Sequence, residues 1–394
     1  MANYLLQDTD KYSIQEWVDN YDDTEQYPRV LSSLGFYNIV NGSFGIAVGL
    51  ASSIPQFNLK EVNQALINLL KNPDISDDEI VCLPDFATGG IIINKDEVIE
   101  SLKKGTGKAA IIQAKIEYDK KEHCLIVTEL PYGVYTNTVC GELEKLSQKD
   151  DNFGIVRIND LTGEQVCMKL YLAKAADPKQ MIDYLYQNTS LQSSYSINLT
   201  MLEDGRFPKV FKWKDALLSH LRHEEEVYTR CYEHEKEELH HKIKILNALR
   251  LAARNIDVVI EYVQAAESFQ EASSSLQKAL QIDEEQAKAI LDMKLSRLSK
   301  LEISDIEQKL NTNMDRLAEV KDILSNKDRL YTVMIERFQE VSKKFGDNRR
   351  TQVIQKEIVA APKVKKEKTA EPVVICYTDN GYIKSIPAAK YRKI

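Results

Sequence analysis

Residue types able to act on another molecule concentrate in one stretch, Asn41-Gly-Ser-Phe-Gly45 through Ile54-Pro-Gln-Phe-Asn58. Gly42, Gly45 and Gly49 let a backbone turn, or approach another backbone, with no Cβ in the way. An apolar residue stiffened by a following proline, here Ile54-Pro55, has the form of a wedge that is pushed between base steps to kink a duplex. Read from the residues alone, the stretch is either an ordinary strand-edge turn or a DNA-bending surface, whose chemistry would be mechanical and would break no bond. Its candidate contacts are Asn41, Gly42, Ser43, Ile54 and Pro55.

Covalent chemistry finds no comparable set. A tyrosine with a pKa near 10 attacks at neutral pH only with positive charge or a metal beside it, and none of Tyr4, Tyr12 and Tyr21 adjoins an arginine. The chain has no phosphate-binding P-loop and no acidic cluster arranged for magnesium. His220, His223, His240 and His241 fall in a charged helical run, where a solvated face is the expectation. Neither a catalytic residue nor a metal ligand is assigned.

With 52 Lys and Arg against 60 Asp and Glu, the formal net charge is −8. A negative body repels a polyanion, so any DNA-facing surface must be a local basic one. Lys103, Lys104 and Lys108, which flank Gly105-Thr-Gly107, are the candidates, followed by the tail Lys363-Val-Lys-Lys-Glu-Lys368. The six cysteines form no CxxC pair and read as reduced packing residues. No apolar run reaches the ~18 residues of a membrane span, and the start lacks the pattern of a secretory signal. The expected location is the cytoplasm, with no membrane partner.

The elements that must position these residues form an α+β chain. Residues 1–27 read as a short helix and a polar linker. Residues 28–208 alternate β-rich runs, such as Cys124-Leu-Ile-Val-Thr128, with helical segments at Leu59 to Leu70 and Lys179 to Tyr186. From Lys209 to Phe345 there is no glycine or proline, which predicts helix nearly throughout. Two arms, Trp213 to Val263 and Ile303 to Phe345, carry apolar residues at heptad-like spacings and should pair as an antiparallel coiled coil; the first would be a rod of roughly 75 Å.

Between the arms, a knob at about 266–302 holds more large apolar groups than so small a helical unit can bury. Ile290, Leu291, Met293, Leu295 and Leu298 are the expected face of an isologous dimer, the alternative being a knob that packs entirely on itself. A basic linker, 349–371, leads to 372–394, where two β-like runs flank Asp379-Asn-Gly381, a hairpin signal.

Taken in order, Asn20-Tyr-Asp-Asp-Thr-Glu25, Val40-Asn-Gly-Ser-Phe-Gly-Ile-Ala-Val-Gly49, Ile54-Pro55, Pro84-Asp-Phe-Ala-Thr-Gly-Gly-Ile-Ile92, Thr128-Glu-Leu-Pro-Tyr132, Thr189-Ser-Leu-Gln-Ser-Ser-Tyr195, Ala287-Lys-Ala-Ile-Leu-Asp-Met-Lys-Leu295 and Phe345-Gly-Asp-Asn-Arg-Arg-Thr351 resemble the A subunit of bacterial type IIA topoisomerases, gyrase or topoisomerase IV. Tyr37, where that family has proline, and Gln56-Phe57 depart from its pattern and point to a divergent lineage such as a phage or mobile element.

The resemblance implies a tower domain over 28–208, an exit gate that dimerises at the knob, and the opening of a C-terminal β-pinwheel. It makes Ile54 the isoleucine that intercalates in the gate DNA, with Asn41 to Gly49 as the floor beneath it. It also places the tyrosine nucleophile in a winged-helix domain outside this chain, so the chain alone would not cleave. ATP and Mg2+ would bind a partner B subunit, and this chain would bind neither. Three readings remain: one piece of a split type II topoisomerase, with the winged helix on a separate polypeptide; part of an ordinary A subunit; or a non-catalytic dimeric DNA-architecture or decoy protein.

Overall fold

The computed structural model describes residues 16–31, 33, 35–149, 154–203, 205–293, 300–356, 373–377, 381–387 and 391. It divides into two units, Met1–Gln355 and Lys356–Ile394. The predicted N-terminal helix lies mostly outside the described residues. Its last part is strand: Trp17–Asp19 pairs antiparallel with Gln26–Pro28. Asn20 closes the turn between them, its Oδ1 accepting from the backbone N–H of Asp22 and Thr24.

The first core forms around helix Leu59–Lys71. Asn58 caps it by accepting from the Lys60 N–H, which satisfies one of the free donors of the first turn. Val62, Ala65, Leu66 and Leu69 recur at helical spacing and are buried. They share a core with strands Ile91–Ile92 and Ala110–Gln113, with Trp213 and Leu217 of the long helix, and with Met334 and Phe338.

The sheet here runs, in order, Gln192–Tyr195, Ala110–Gln113, Ile91–Ile92 and Gln352–Val353. Its last strand is parallel to Ile91–Ile92 and follows helix Lys327–Phe345, the last of the helical arm. Residues 349–355, expected as linker, are therefore part of the first unit.

A second sheet, in the order Lys115–Asp119, Cys124–Glu129, Met168–Leu172 and Ile155–Asp160, is antiparallel throughout. Leu125, Val127, Met168 and Leu170 alternate onto its inner face and pack with Leu143 of helix Thr136–Lys149 and Leu185 of helix Pro178–Asn188. Such alternation marks a sheet with one covered face.

Helix Trp213–Arg254 runs unbroken for 42 residues, about 63 Å at 1.5 Å per residue. It stops at Asn255, and Ile256–Ala265 follows as a separate helix, so the first arm is shorter than predicted. Helix Lys300–Ser325 returns antiparallel along it: Arg316 reaches Glu235, while Arg254 reaches Glu307. Leu239, Leu317 and Val320 close the seam.

The predicted second arm is two helices. Asn326 leaves helical geometry and caps the next helix, Lys327–Phe345, by accepting from the Asp328 N–H. An asparagine side chain that bonds the local backbone competes with helix continuation. The second piece turns into the globular core, where Asn63 Nδ2 donates to the Phe338 carbonyl and to Ser342 Oγ.

At the far end, helices Phe269–Leu280 and Glu284–Leu291 fold back on the long helix. Asp283 and Gln286 form a reciprocal cap that starts the second of these. Ile290, predicted on a dimer face, is only 3% exposed and packs inward on Ala248, Leu249, Ala252 and Leu276. The helix lies flat on the long helix and so buries that face itself. Leu291 and Met293 are half-buried against the same cluster, and Leu295 and Leu298 lie outside the described residues.

In the second unit Val373–Tyr377 pairs antiparallel with Ile383–Pro387 as the predicted hairpin. Gly381 takes φ +83 there, a conformation that glycine adopts without strain.

Candidate nucleic-acid interface

Ser43–Ala47 and Leu50–Ile54 form a hairpin closed by a two-residue turn, Val48-Gly49. The register sets Phe44 opposite Ser53 and Ile46 opposite Ala51. Phe44 and Ile46 are 71% and 80% exposed, and Val48 at the tip is fully exposed. Because side chains alternate along a strand, Phe44 and Ile46 share one face, beside Gly45 and Ala47, which contribute almost no bulk. Exposed phenylalanine and isoleucine at the end of a thin projection are costly in water unless something covers them.

Ile54 is placed differently from expectation. It is 1% exposed, in the core with Ile39, Phe57 and Trp213. Pro55 is buried beside it. A Cβ on Gly42, which has φ +70, would lie 2.7 Å from the Ile54 carbonyl oxygen, so the chain crosses itself there. Ile54-Pro55 thus anchors the hairpin, and its side chains cannot reach a duplex while the core is intact. The signal for the exposed residues was present in sequence as the period-2 apolar series Phe44, Ile46, Val48 between small residues.

The hairpin base is fixed from one side by the segment Ser196 to Leu199. The backbones of Ser53 and Asn198 exchange two hydrogen bonds, of 3.0 and 2.9 Å. Ser53 Oγ donates to the Ser196 carbonyl at 2.7 Å. Tyr195 donates its hydroxyl to the Ile54 carbonyl at 3.3 Å, and burial pushes its pKa up. On its other edge Asn198 pairs with Thr106, and Leu199 donates to the Gly105 carbonyl. The apolar hairpin and the lysine-flanked loop are therefore built on one strand-like segment.

Asn41 and Ser43 are exposed at the hairpin base and Gly42 is half-buried. Lys104 and Lys108 are exposed, but each already faces a carboxylate, Glu100 for Lys104 and Glu97 for Lys108 at 3.5 Å. Lys103 pairs with Asp78. The hydrogen bond from Lys104 holds the Glu100 carboxyl below its ordinary value. Surface pairs of this kind are worth at most about 1 kcal/mol, so a phosphate can displace the carboxylate.

His220 departs from the solvated face expected of it. Its ring stacks on Phe36 at 4.6 Å with 5° between planes. Burial, aided by His223, pushes its pKa down to about 3. His240 and His241 are exposed as expected.

Among the described residues, one group has metal-ligand types close together, Asp119, Glu122 and Cys124. Glu122 there already accepts from Lys169 Nζ at 2.8 Å and from Tyr171 at 3.1 Å. Burial raises the Cys124 pKa, which disfavours the thiolate that would bind a metal. A cleft of about 930 Å³ between helix Leu59–Lys71 and residues 349–353 holds Lys60, Glu61, Cys82 and Lys95. Burial raises the Cys82 thiol far above its usual value, so it offers no nucleophile.

The sequence that builds these elements matches a known family. The family model of the DNA gyrase/topoisomerase IV A subunit matches residues 1–339. The chain belongs to this family. Among relatives, the chain is 34% identical over 403 residues to the DNA gyrase A subunit of Leptospira biflexa, covering 100% of this chain and 47% of that protein. It is 32% identical over 400 residues to the gyrase A subunit of Thermotoga maritima, covering 100% and 49%, and 32% identical over 398 residues to that of Staphylococcus epidermidis, covering 98% and 44%. The chain spans about half the length of the gyrase A subunits it matches. Its exposed hairpin and basic loop are thus features of a chain of the gyrase/topoisomerase IV A-subunit family. No helix among the described residues is long and apolar enough to cross a membrane.

Proposed function

We propose that this chain is the DNA-gripping and DNA-bending part of the breakage-reunion subunit of an ATP-dependent type II DNA topoisomerase. The observation that carries the reading is the clamped hairpin that presents Phe44, Ile46 and Val48 to solvent. Ile46, in place of Ile54, is the wedge: it enters a base step, while Asn41, Gly42 and Ser43 lie under the backbone and Lys104 and Lys108 contact phosphates. Kinking costs a few kcal/mol in unstacking, which the larger bent contact surface offsets. Residues 28–208 extend the groove as a tower.

The long helix pair acts as a coiled coil that carries the exit gate. Leu291, Met293, Leu295 and Leu298 join two copies there, with Ile290 supporting them from inside.

The tyrosine that attacks the phosphodiester comes from outside this set of residues. Tyr195, which bonds the hairpin base, is occupied by the Ile54 carbonyl. Among the described residues, Tyr171 sits against Arg157 in the second sheet, and Tyr331 against Lys327 and Tyr232 against Arg316 in the helical arm. A separate B subunit supplies ATP hydrolysis and Mg2+.

The test mixes the purified chain with a gyrase B subunit, ATP and Mg2+, with and without a winged-helix fragment bearing an Arg-Tyr pair. Strand passage is expected only in the complete mixture and is expected to fall with Ile46→Ala. Strand passage without the fragment would show that the nucleophile lies within this chain. Passage unaffected by Ile46→Ala would remove the wedge.

A further inference from the structure

We propose that Asn198 is a positioning residue for the wedge: its side-chain amide sets the height of Ile46 above the basic loop. The proposal rests on the bending role given to Ile46. Backbone pairing with Ser53 fixes only the base of the hairpin. The Asn198 side chain reaches further, donating from Nδ2 to the Ala51 carbonyl at 2.8 Å. Ala51 is the residue directly opposite Ile46 in the hairpin register. The amide is itself oriented, because Thr200 Oγ1 donates to Asn198 Oδ1 at 2.6 Å and leaves the NH2 group aimed at the hairpin.

On its other edge Asn198 pairs with Thr106, inside the Gly105–Gly107 loop that Lys104 and Lys108 flank. That loop is held too tightly to adjust. A Cβ on Gly105 would sit 2.1 Å from the Phe211 carbonyl oxygen, and Leu199 donates to the Gly105 carbonyl at 2.8 Å. One residue therefore ties the apolar probe to the phosphate-facing loop. A two-stranded hairpin exposed on most of its surface is marginal by itself. Without the amide its outer half pivots on the Ser53 pairing, and the pressure of Ile46 on a base step is lost as hairpin motion. Phosphate contacts do not pass through the amide, so affinity and bending separate.

Asn198→Asp keeps the shape and the bond from Thr200 but replaces the donor to Ala51 with a charged acceptor, so the Kd values are compared at salt high enough to screen the added charge. Asn198→Ala removes the whole side chain. The full chain is titrated onto a duplex of about 30 base pairs with a fluorophore at each end, so that energy transfer at saturation reads the bend and the titration reads the Kd. Ile46→Ala is run beside it, and thermal midpoints of all variants are recorded. Both Asn198 variants are expected to lose about half or more of the bend-dependent transfer while the Kd stays within about threefold and the midpoint of Asn198→Asp stays unchanged. Full transfer with Asn198→Asp, while Ile46→Ala loses it, would overturn this inference and leave the wedge standing. Full transfer with Ile46→Ala would overturn the wedge reading itself. A parallel fall of transfer, affinity and midpoint in Asn198→Asp would show Asn198 to be structural only and would also overturn the inference.

Discussion

Arg349 grips Glu61 with two guanidinium nitrogens, Nε to Oε1 at 2.8 Å and Nη2 to Oε2, and donates to the carbonyls of Leu83 and Pro84, both at 2.9 Å. Beside it, Asp85 accepts from the backbone of Arg350 and Thr351, and Thr351 Oγ1 accepts from Phe86 N–H while donating to the Gly89 carbonyl. The Gly-Asp-Asn-Arg-Arg-Thr stretch is thus a fastening that returns the end of the helical arm to the globular core. A guanidinium fork fits this set of acceptors and an ammonium does not. Arg349→Lys is expected to cost about 2 kcal/mol and Arg349→Ala about 3 kcal/mol, because Glu61 and two carbonyls lose their donors. The shift of the urea midpoint, at constant slope, measures this.

The two isoleucines of the hairpin should behave oppositely. Removing the buried side chain in Ile54→Ala leaves a cavity and should cost about 2–5 kcal/mol. Ile46→Ala removes an exposed group and should change stability by no more than about 0.5 kcal/mol. Thermal melts of the two variants in parallel, without DNA, separate anchor from probe. Equal melts would contradict the burial of Ile54.

Much of this architecture is legible in the sequence, and the failures share one cause. The absence of glycine and proline from Lys209 to Phe345 marks the helices, since that signal is local. The NG turn and the Leu59–Lys71 helix follow from equally local patterns. Which apolar residues face inward is decided by tertiary contacts. Ile54 looks like a free wedge until the crossing at Gly42 and the packing on Trp213 are known. Ile290 likewise looks like dimer surface until its helix lies on Ala248 and Ala252. The strand Gln352–Val353 was invisible because its partner Ile91–Ile92 is remote in sequence. The break at Asn326 falls within an unbroken apolar repeat, and only the turn of the last helix into the core gives its cap a reason.

His220 gives the fold an acid sensitivity. Its native pKa is near 3, against an ordinary value of 6.5, because burial against Phe36 disfavours the charged ring and His223 adds to the effect. The unfolded chain takes up a proton below pH about 6.5 and the native state does not. Its contribution is therefore fully present above that pH and is lost progressively as pH falls toward 3. His220→Phe keeps a flat ring on Phe36 and removes the titration. It should melt less differently between pH 7.5 and pH 5 than the wild type does. An identical pH dependence in both would place the acid response elsewhere.

Two glycines test how tightly the interface is built. Gly105 has φ +81 and no room for a Cβ, which would meet the Phe211 carbonyl, whereas a Cβ on Gly45 would meet nothing within 4 Å. Gly105→Ala combines backbone strain with a clash and should cost about 1–3 kcal/mol or more. Gly45→Ala should fold as the wild type does. Chemical denaturation compares them, and a tolerated Gly105→Ala would mean that the loop yields after all.

On the proposed function, Lys104 and Lys108 should separate gripping from bending. Each lysine that neutralises a phosphate releases a condensed counterion, so each lowers the salt slope of duplex binding by about 0.9 when removed. Both are exposed and share their charge with Glu100 and Glu97, so part of that release is offset by freeing the carboxylates. Lys104→Ala with Lys108→Ala should flatten the plot of log Kd against log salt by between about 1 and 2, equally for unrelated sequences, because phosphate contacts carry no sequence information. Glu97→Gln and Glu100→Gln should do the reverse, tightening binding at low salt by releasing the lysines. The bend at saturation should survive all four changes, since Ile46 and its support from Asn198 are untouched. An unchanged salt slope in the lysine double variant would place the phosphate contacts on another surface.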